Sequence, residues 1–196
     1  VPYYSAGIRI EHQIDEKQSA QFQILNGWQN MSENNNAKAI GMQYKNLISP
    51  LLTFTYNNFL GDEQVVPNPK TMKFHSRFRG YHNFILQYLA SEKWQFLTAF
   101  DLGHQAQQEN NGVDLWGAMT VTMRRIMNST EAVALRMEYY NDRHQANVYT
   151  GTPNGFEVYS VSSNFDKNLD ENSLWRTEVR GFNSKDKIYP KSSSSK

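Results

Sequence analysis

Charged side chains recur at every second position in two segments of the sequence. Arg136 and Glu138 stand in the first segment, and Arg176, Glu178 and Arg180 stand in the second. If both segments are β-strands, this spacing puts each set on one face of its strand. Opposed arginines and carboxylates beside a water-filled path would select solutes by charge. The same groups could instead be an ion network that only holds strands together, and the sequence leaves both alternatives open.

Four further charged residues share this parity as weaker members of the set, namely Arg77, Arg79, Asp101 and Arg124. No catalytic pattern accompanies any of these charges. The histidines lack the spacing that would bring metal ligands together on one strand face, and no nucleophile motif surrounds a serine. We therefore predict a protein that is not an enzyme and that uses no metal and no cofactor.

The elements that would position these charges are strands, because apolar and polar residues alternate with a period of two along most of the chain. About ten such segments of roughly ten residues each can be read, which is the length a tilted strand needs to cross a bilayer. Strands of soluble proteins are nearer five or six residues. We expect the apolar parity to face outward and to be exposed, as represented by Ile8, Phe22, Phe54, Leu86, Phe96, Leu135 and Val179.

The predicted connections alternate between short and long. Short ones fall near residues 15–17, 46–50, 91–93, 128–130 and 168–172, and longer polar ones fall near 31–36, 61–71, 108–114, 141–154 and from 183 onward. Barrels of the outer membrane have short periplasmic turns and long external loops. The sequence therefore predicts an all-β antiparallel meander that forms the wall of a transmembrane β-barrel.

Aromatic residues supply a second candidate feature. Amphipathic rings suit the two membrane interfaces, where they form a girdle. The predicted girdle residues are Trp28, Trp94, Trp175, Tyr44, Tyr56, Tyr88 and Tyr139. The alternative is aromatic packing in the core of a soluble β-sandwich, which would bury Phe96, Phe100, Val133 and Leu135 against a second sheet.

Composition narrows the class further. The formal net charge is +1, which provides no basic field for nucleic acid. Mean hydropathy is −0.70. A membrane barrel is compatible with this polar average, because every second side chain of its strands faces a wet lumen. The chain contains no cysteine, so disulfides and thiolate metal sites are excluded.

Topology suggests more strands than this sequence contains. The first connection is short, so the first strand would descend towards the periplasm, whereas such barrels normally begin and end on the periplasmic side with an even number of strands. We therefore expect residues 1–196 to be a single β-barrel domain that is an internal fragment. It would lack strands at both ends, within a complete barrel of about twelve strands or more.

Five stretches resemble the β-barrel porin family called porin-2, or OmpL-like. They are Leu25–Asn30, Thr55–Glu63, Arg136–Asp142, Gly155–Ser160 and Arg176–Arg180. The resemblance is spread over nearly the whole chain. It implies an outer-membrane barrel with a channel role, and it brings no catalytic residues.

These observations predict a porin-like channel in the cell outer membrane. Its partners would be the lipid bilayer and small hydrophilic solutes, with other envelope proteins or copies of itself as further candidates. The alternatives are a non-conducting barrel that scaffolds an envelope protein complex and, less favoured, the soluble carbohydrate-binding sandwich.

Overall fold

The protein is described by a computed structural model that covers residues 4–32, 35, 37–63, 77–107 and 112–189. Ten strands account for the regular structure of these residues. They are β1 (Gly7–Gln13), β2 (Gln18–Leu25), β3 (Ala39–Ser49), β4 (Leu52–Asp62), β5 (Phe78–Leu89), β6 (Trp94–Ala106), β7 (Val113–Ile126), β8 (Glu131–Asp142), β9 (Phe156–Asn168) and β10 (Leu174–Ser184). No described residue belongs to a helix long and apolar enough to cross a membrane.

The strands form one sheet in sequence order, and every neighbouring pair is antiparallel. The predicted all-β meander is therefore confirmed. The strands from β3 to β10 contain 11 to 14 residues, which exceeds the usual length of soluble strands and matches a tilted crossing of a bilayer.

The two faces of the sheet differ in chemistry, because the antiparallel register keeps residues of one parity together across strands. One face is an apolar band with side chains exposed to the surroundings. Of the seven residues predicted to face outward, Phe54 is half-buried and the others are exposed, from 37% for Phe96 to 75% for Val179. The other face is largely polar and contains most of the buried side chains.

A soluble sandwich is wrong for this chain. The sandwich would bury Phe96, Phe100, Val133 and Leu135 against a second sheet, but all four are exposed in a structure that contains a single sheet over its described residues. An exposed apolar band of this extent is abnormal for a soluble monomer and normal for a wall that faces lipid.

The sheet curls strongly, with its polar face on the concave side. Trp28, which follows β2, and Phe182 of β10 line the same cavity. Eight strand spacings separate β2 from β10, which is about 38 Å on a flat sheet. One cavity can reach both only if the sheet bends towards its polar face, as the wall of a barrel does.

Connections at one end of the sheet are short, at residues 14–17, 50–51, 90–93, 127–130 and 169–173. We call this the short-turn end. The opposite, long-loop end has the connections 26–38, 63–77, 107–112 and 143–155. The predicted long connections at 31–36, 61–71 and 108–114 fall partly outside the described residues. The alternation that the sequence predicts is present.

Within the described residues β1 and β10 do not pair with each other, so the sheet is a partial barrel. The expectation that further strands complete it stays a prediction.

Candidate functional site

Seven charged residues form two adjoining ion-pair clusters on the concave face of β7 to β10, which together we call the ionic belt. Its members are Arg124, Arg136, Glu138, Asp166, Arg176, Glu178 and Arg180. Four arginines thus face three carboxylates. The belt therefore presents opposed charges with an excess of one positive charge.

Asp166 of β9 joins the two arginines at the short-turn end of the belt. Arg176 donates to both carboxylate oxygens of Asp166, from Nε at 2.6 Å and from Nη2 at 2.8 Å. This two-pronged geometry is the strong form of an arginine-carboxylate pair. Arg124 approaches the same carboxylate from β7, with Nη2 3.5 Å from Oδ2. One buried carboxylate therefore links three strands.

The other half of the belt links β8 to β10. Arg136 Nη2 donates to Glu178 Oε1 at 3.0 Å. Glu138 accepts hydrogen bonds from Arg180 and, at 2.6 Å, from the Ser160 hydroxyl. The charges of β8 are thus opposed directly by charges of β10.

Strand β9 makes this contact possible because it contributes small residues between the two charged strands. Ser162 lies opposite Arg136 on one side and Arg180 on the other, and Ser160 lies opposite Glu138. The strands β8 and β10 are two spacings apart, roughly 10 Å. Long arginine side chains cross that distance only where nothing bulky stands between them.

Three of the predicted charged residues, Arg77, Asp101 and Arg79, lie away from the belt. Arg77 precedes β5 at the long-loop end, where its backbone amide donates to Asp62 at 2.9 Å. Asp101 lies on the concave face of β6 and accepts hydrogen bonds at 2.6 Å from Tyr81 and from Asn83. Asp101 belongs to a row of polar side chains that continues through Asn57 and Gln43.

Arg79 is the centre of a second group, the aromatic plug, which consists of Arg79, Trp28, Phe59, Tyr81 and Trp116. The Arg79 guanidinium lies 5.1 Å from the ring centroid of Trp28 and 5.4 Å from that of Trp116. Arg79 also donates to Gln105 Oε1 and, at 3.1 Å, to the carbonyl of Ala146. The plug therefore ties the loop after β8 to the inside of the sheet at its long-loop end.

Trp28 reaches the concave face because the connection after β2 turns inward. Gly27 has φ of +113°, which L side chains rarely adopt, and the Trp28 amide donates to Glu63 Oε1 at 2.8 Å. The Trp28 ring then meets Phe59 and Tyr81 at centroid distances of 5.2 and 5.1 Å, both edge to face. Burial raises the pKa of the Glu63 carboxyl, although the hydrogen bond from Trp28 opposes that rise.

The assignment of Trp28 to a membrane girdle is therefore wrong, because its ring is only 8% exposed and packs on the polar, concave side. Trp94, Trp175 and Tyr88 lie on the convex face near the short-turn end, and Trp94 stacks beside Arg125. The girdle stays a prediction for these three. Tyr139 is also convex and pairs with Tyr159. Tyr44 and Tyr56 are convex but lie mid-strand, which fits a membrane boundary less well.

Between the plug and the belt lies a cavity of about 580 Å³ on the concave face. Its lining combines aromatic rings with hydrogen-bonding groups, and we call it the aromatic cavity. The members used below are Trp28, Tyr140, Asn147, Phe156, Phe182 and Tyr189. The alternation of side chains along β8 and β10 is enough to predict that Tyr140 and Phe182 lie on this face. Trp28 and Asn147 come from loops, for which the sequence contains no periodic signal.

A curved sheet with an apolar convex face and a charged concave face defines the wall of a porin-type β-barrel. The whole chain, residues 1–196, matches the family model described as "Putative beta-barrel porin-2, OmpL-like", and the chain belongs to this family. Comparisons with curated proteins and with solved structures find no match.

Proposed function

We propose that this chain forms a wall of a channel in the outer membrane, through which small hydrophilic solutes diffuse, and that the ionic belt biases their passage by charge. The observation that carries the proposal is the position of the belt. Its charges meet on the concave face, opposite an exposed apolar band. A lumen lined in this way would offer water and fixed charges to a solute.

Energetics supports this placement of the charges. An arginine that faces lipid near the midplane costs about 2–4 kcal/mol. Turning Arg136, Arg176 and Arg180 outward would offset most of the net stability of a domain. The concave side is therefore the side on which water is expected.

The test is ion selectivity of the purified full-length protein in planar bilayers. Discrete conductance steps are expected, with a slight preference for anions because the belt has one more arginine than carboxylates. Replacing Arg136, Arg176 and Arg180 together with alanine leaves an excess of carboxylates in the belt. We expect reversal potentials in a salt gradient to shift towards cation selectivity.

Arg125 provides the matched control. It is the neighbour of Arg124 on β7, but it lies on the convex face beside Trp94. Arg125→Ala removes one arginine charge without changing the lumen, so selectivity should stay at the wild-type value. Unchanged selectivity in a folded, conducting triple variant would show that the belt only braces the wall.

The aromatic plug favours one alternative, a non-conducting barrel that scaffolds other envelope proteins. Trp28, Phe59 and Tyr81 are buried on the concave side, where a solute would otherwise pass. The same recordings decide between the two functions. Absence of conductance from folded protein, together with co-purifying envelope proteins or a stable homo-oligomer, would favour the scaffold.

A further inference from the structure

The aromatic cavity contains several ring faces on one side of the lumen. Tyr140 and Phe156 meet edge to face, with centroids 5.5 Å apart and an interplanar angle of 70°. Phe182 and Tyr189 lie 5.5 Å apart at 40°. Trp28 of the plug borders the same space. A volume of about 580 Å³ with apolar walls and a few polar groups is typical of a site for a small molecule.

The charges that border the cavity already have hydrogen-bond partners within the protein. Glu138 accepts from Arg180 and Ser160, and the Arg180 guanidinium also lies 4.8 Å from the Phe182 ring centroid. Asp101 accepts from Tyr81 and Asn83. An ionic ligand would have to separate the Glu138–Arg180 pair or replace the hydrogen bonds of Asp101, and both changes cost free energy. A neutral ligand can occupy the cavity without doing so.

The remaining polar groups of the lining are neutral donors and acceptors. The Asn147 amide donates to the Tyr140 hydroxyl at 3.0 Å, and Thr120 and Ser160 add hydroxyls at the wall. The ring pairs stand at 70° and 40° and therefore form no parallel slot for a flat aromatic base. A ligand with apolar C–H faces and a rim of hydroxyls uses both the rings and these groups.

We propose that the aromatic cavity is a binding site for a neutral saccharide on its way through the lumen. This inference rests on the proposed channel function and assigns a class of solute to it. The rings of Tyr140 and Phe182 stack on sugar faces, while Asn147, Ser160 and the Glu138–Arg180 pair offer hydrogen bonds to sugar hydroxyls.

Isothermal titration of cellotriose into the detergent-solubilised full-length protein tests the binding directly, whether or not the barrel conducts. Saturable binding is expected. Tyr140→Ala should raise Kd about two- to tenfold, as expected for a lost stacking contact, and Tyr140→Phe, which keeps the ring, should stay closer to wild type. Tyr88→Ala is the control, because its ring is exposed on the convex face and is not part of the cavity lining, and it should leave Kd unchanged.

Absence of saturable cellotriose binding, or an equal loss in Tyr88→Ala and Tyr140→Ala, would overturn the saccharide site. So would tighter binding of adenosine or of tri-glutamate than of cellotriose. Bilayer recordings keep the two proposals apart. Conductance without cellotriose binding refutes the saccharide site alone, whereas cellotriose binding without conductance refutes the channel and retains the site.

Discussion

Asp142 is the last residue of β8, and none of its surface is exposed. Its carboxylate accepts three backbone hydrogen bonds, from Ala146 at 2.9 Å and from Asn147 and Val148 at 2.8 Å each. These bonds define the start of the loop 143–155, which supplies Asn147 to the aromatic cavity. Asp142 thus holds the loop against the plug and the cavity, together with the hydrogen bond from Arg79 to Ala146.

We predict that Asp142→Ala loosens this loop without unfolding the sheet. Each donor left without a partner costs about 1–3 kcal/mol, so the amides of residues 146–148 should exchange at least about tenfold faster with deuterium. Asp170→Ala is a control in the short turn 169–173, where Asp170 accepts from the Asn172 amide at 2.8 Å. That variant should leave loop 143–155 unchanged. Unchanged exchange in Asp142→Ala would contradict this role.

A second loop contact should respond to acid. Asp186 accepts from the Asn154 side chain at 2.9 Å and from its backbone amide at 2.8 Å, and these two hydrogen bonds hold the pKa of Asp186 below its ordinary value of 3.8. Because the pKa of Asp186 is lower in the folded protein than in the unfolded chain, its ionised carboxylate stabilises the folded contact at pH values above the unfolded pKa. This stabilisation is lost as the pH falls through the folded pKa. The contact should therefore be complete at neutral pH and break only below about pH 4.

The chemical shift of the Asn154 amide proton measures this titration. We expect a transition with a midpoint below 3.8 in the wild type and no such transition in Asp186→Asn. A midpoint at or above the ordinary aspartate value would contradict the expected contact.

Among the elements, the connection 26–38 has the largest expected effect on passage through the lumen, because it places Trp28 on the concave face. Trp28→Ala removes the ring that contacts Phe59, Tyr81 and Trp116. Loss of a buried tryptophan lowers the free energy of unfolding by about 3–5 kcal/mol. Here it should mainly destabilise the conformation of the connection 26–38 and the position of Arg79. We predict a higher single-channel conductance, because the long-loop end becomes wider.

Trp94→Ala is the control for this experiment, since Trp94 lies on the convex face at the short-turn end. It should leave the conductance unchanged. If Trp28→Ala and wild type conduct equally, the plug does not limit passage.

The elements also show what the sequence can and cannot predict. Alternation of residue types locates the strands and the concave parity of Arg136 and Arg180, because side chains of one strand must alternate between faces. It does not tell which arginine meets which carboxylate, since that depends on register and on the small serines of β9. Trp28 was misplaced because a connection has no period, and only the inward turn at Gly27 decides its side.

For the whole molecule, the decisive property is which face meets lipid. Thr120 and Val121 are neighbours in the middle of β7 and point to opposite faces: Thr120 lies opposite Glu138, and Val121 lies opposite Met137 in the apolar band. An arginine at each position therefore compares the two environments at nearly the same depth. In a barrel wall, the convex position faces hydrocarbon and the concave position faces water and a carboxylate.

We predict that Val121→Arg lowers the free energy of unfolding by about 2–4 kcal/mol in a lipid bilayer, because the charge then lies near the midplane. Thr120→Arg should cost much less, since the new guanidinium can pair with Glu138 on the opposite strand. Urea unfolding in lipid vesicles, followed by tryptophan fluorescence, measures both. Because the two variants place the same side chain at adjacent positions of one strand, strand propensity contributes almost equally to both. The difference between their free energies of unfolding therefore reports the environment of each position. Equal costs would mean that the convex face does not meet lipid, and a larger cost at Thr120 would reverse the orientation of the wall.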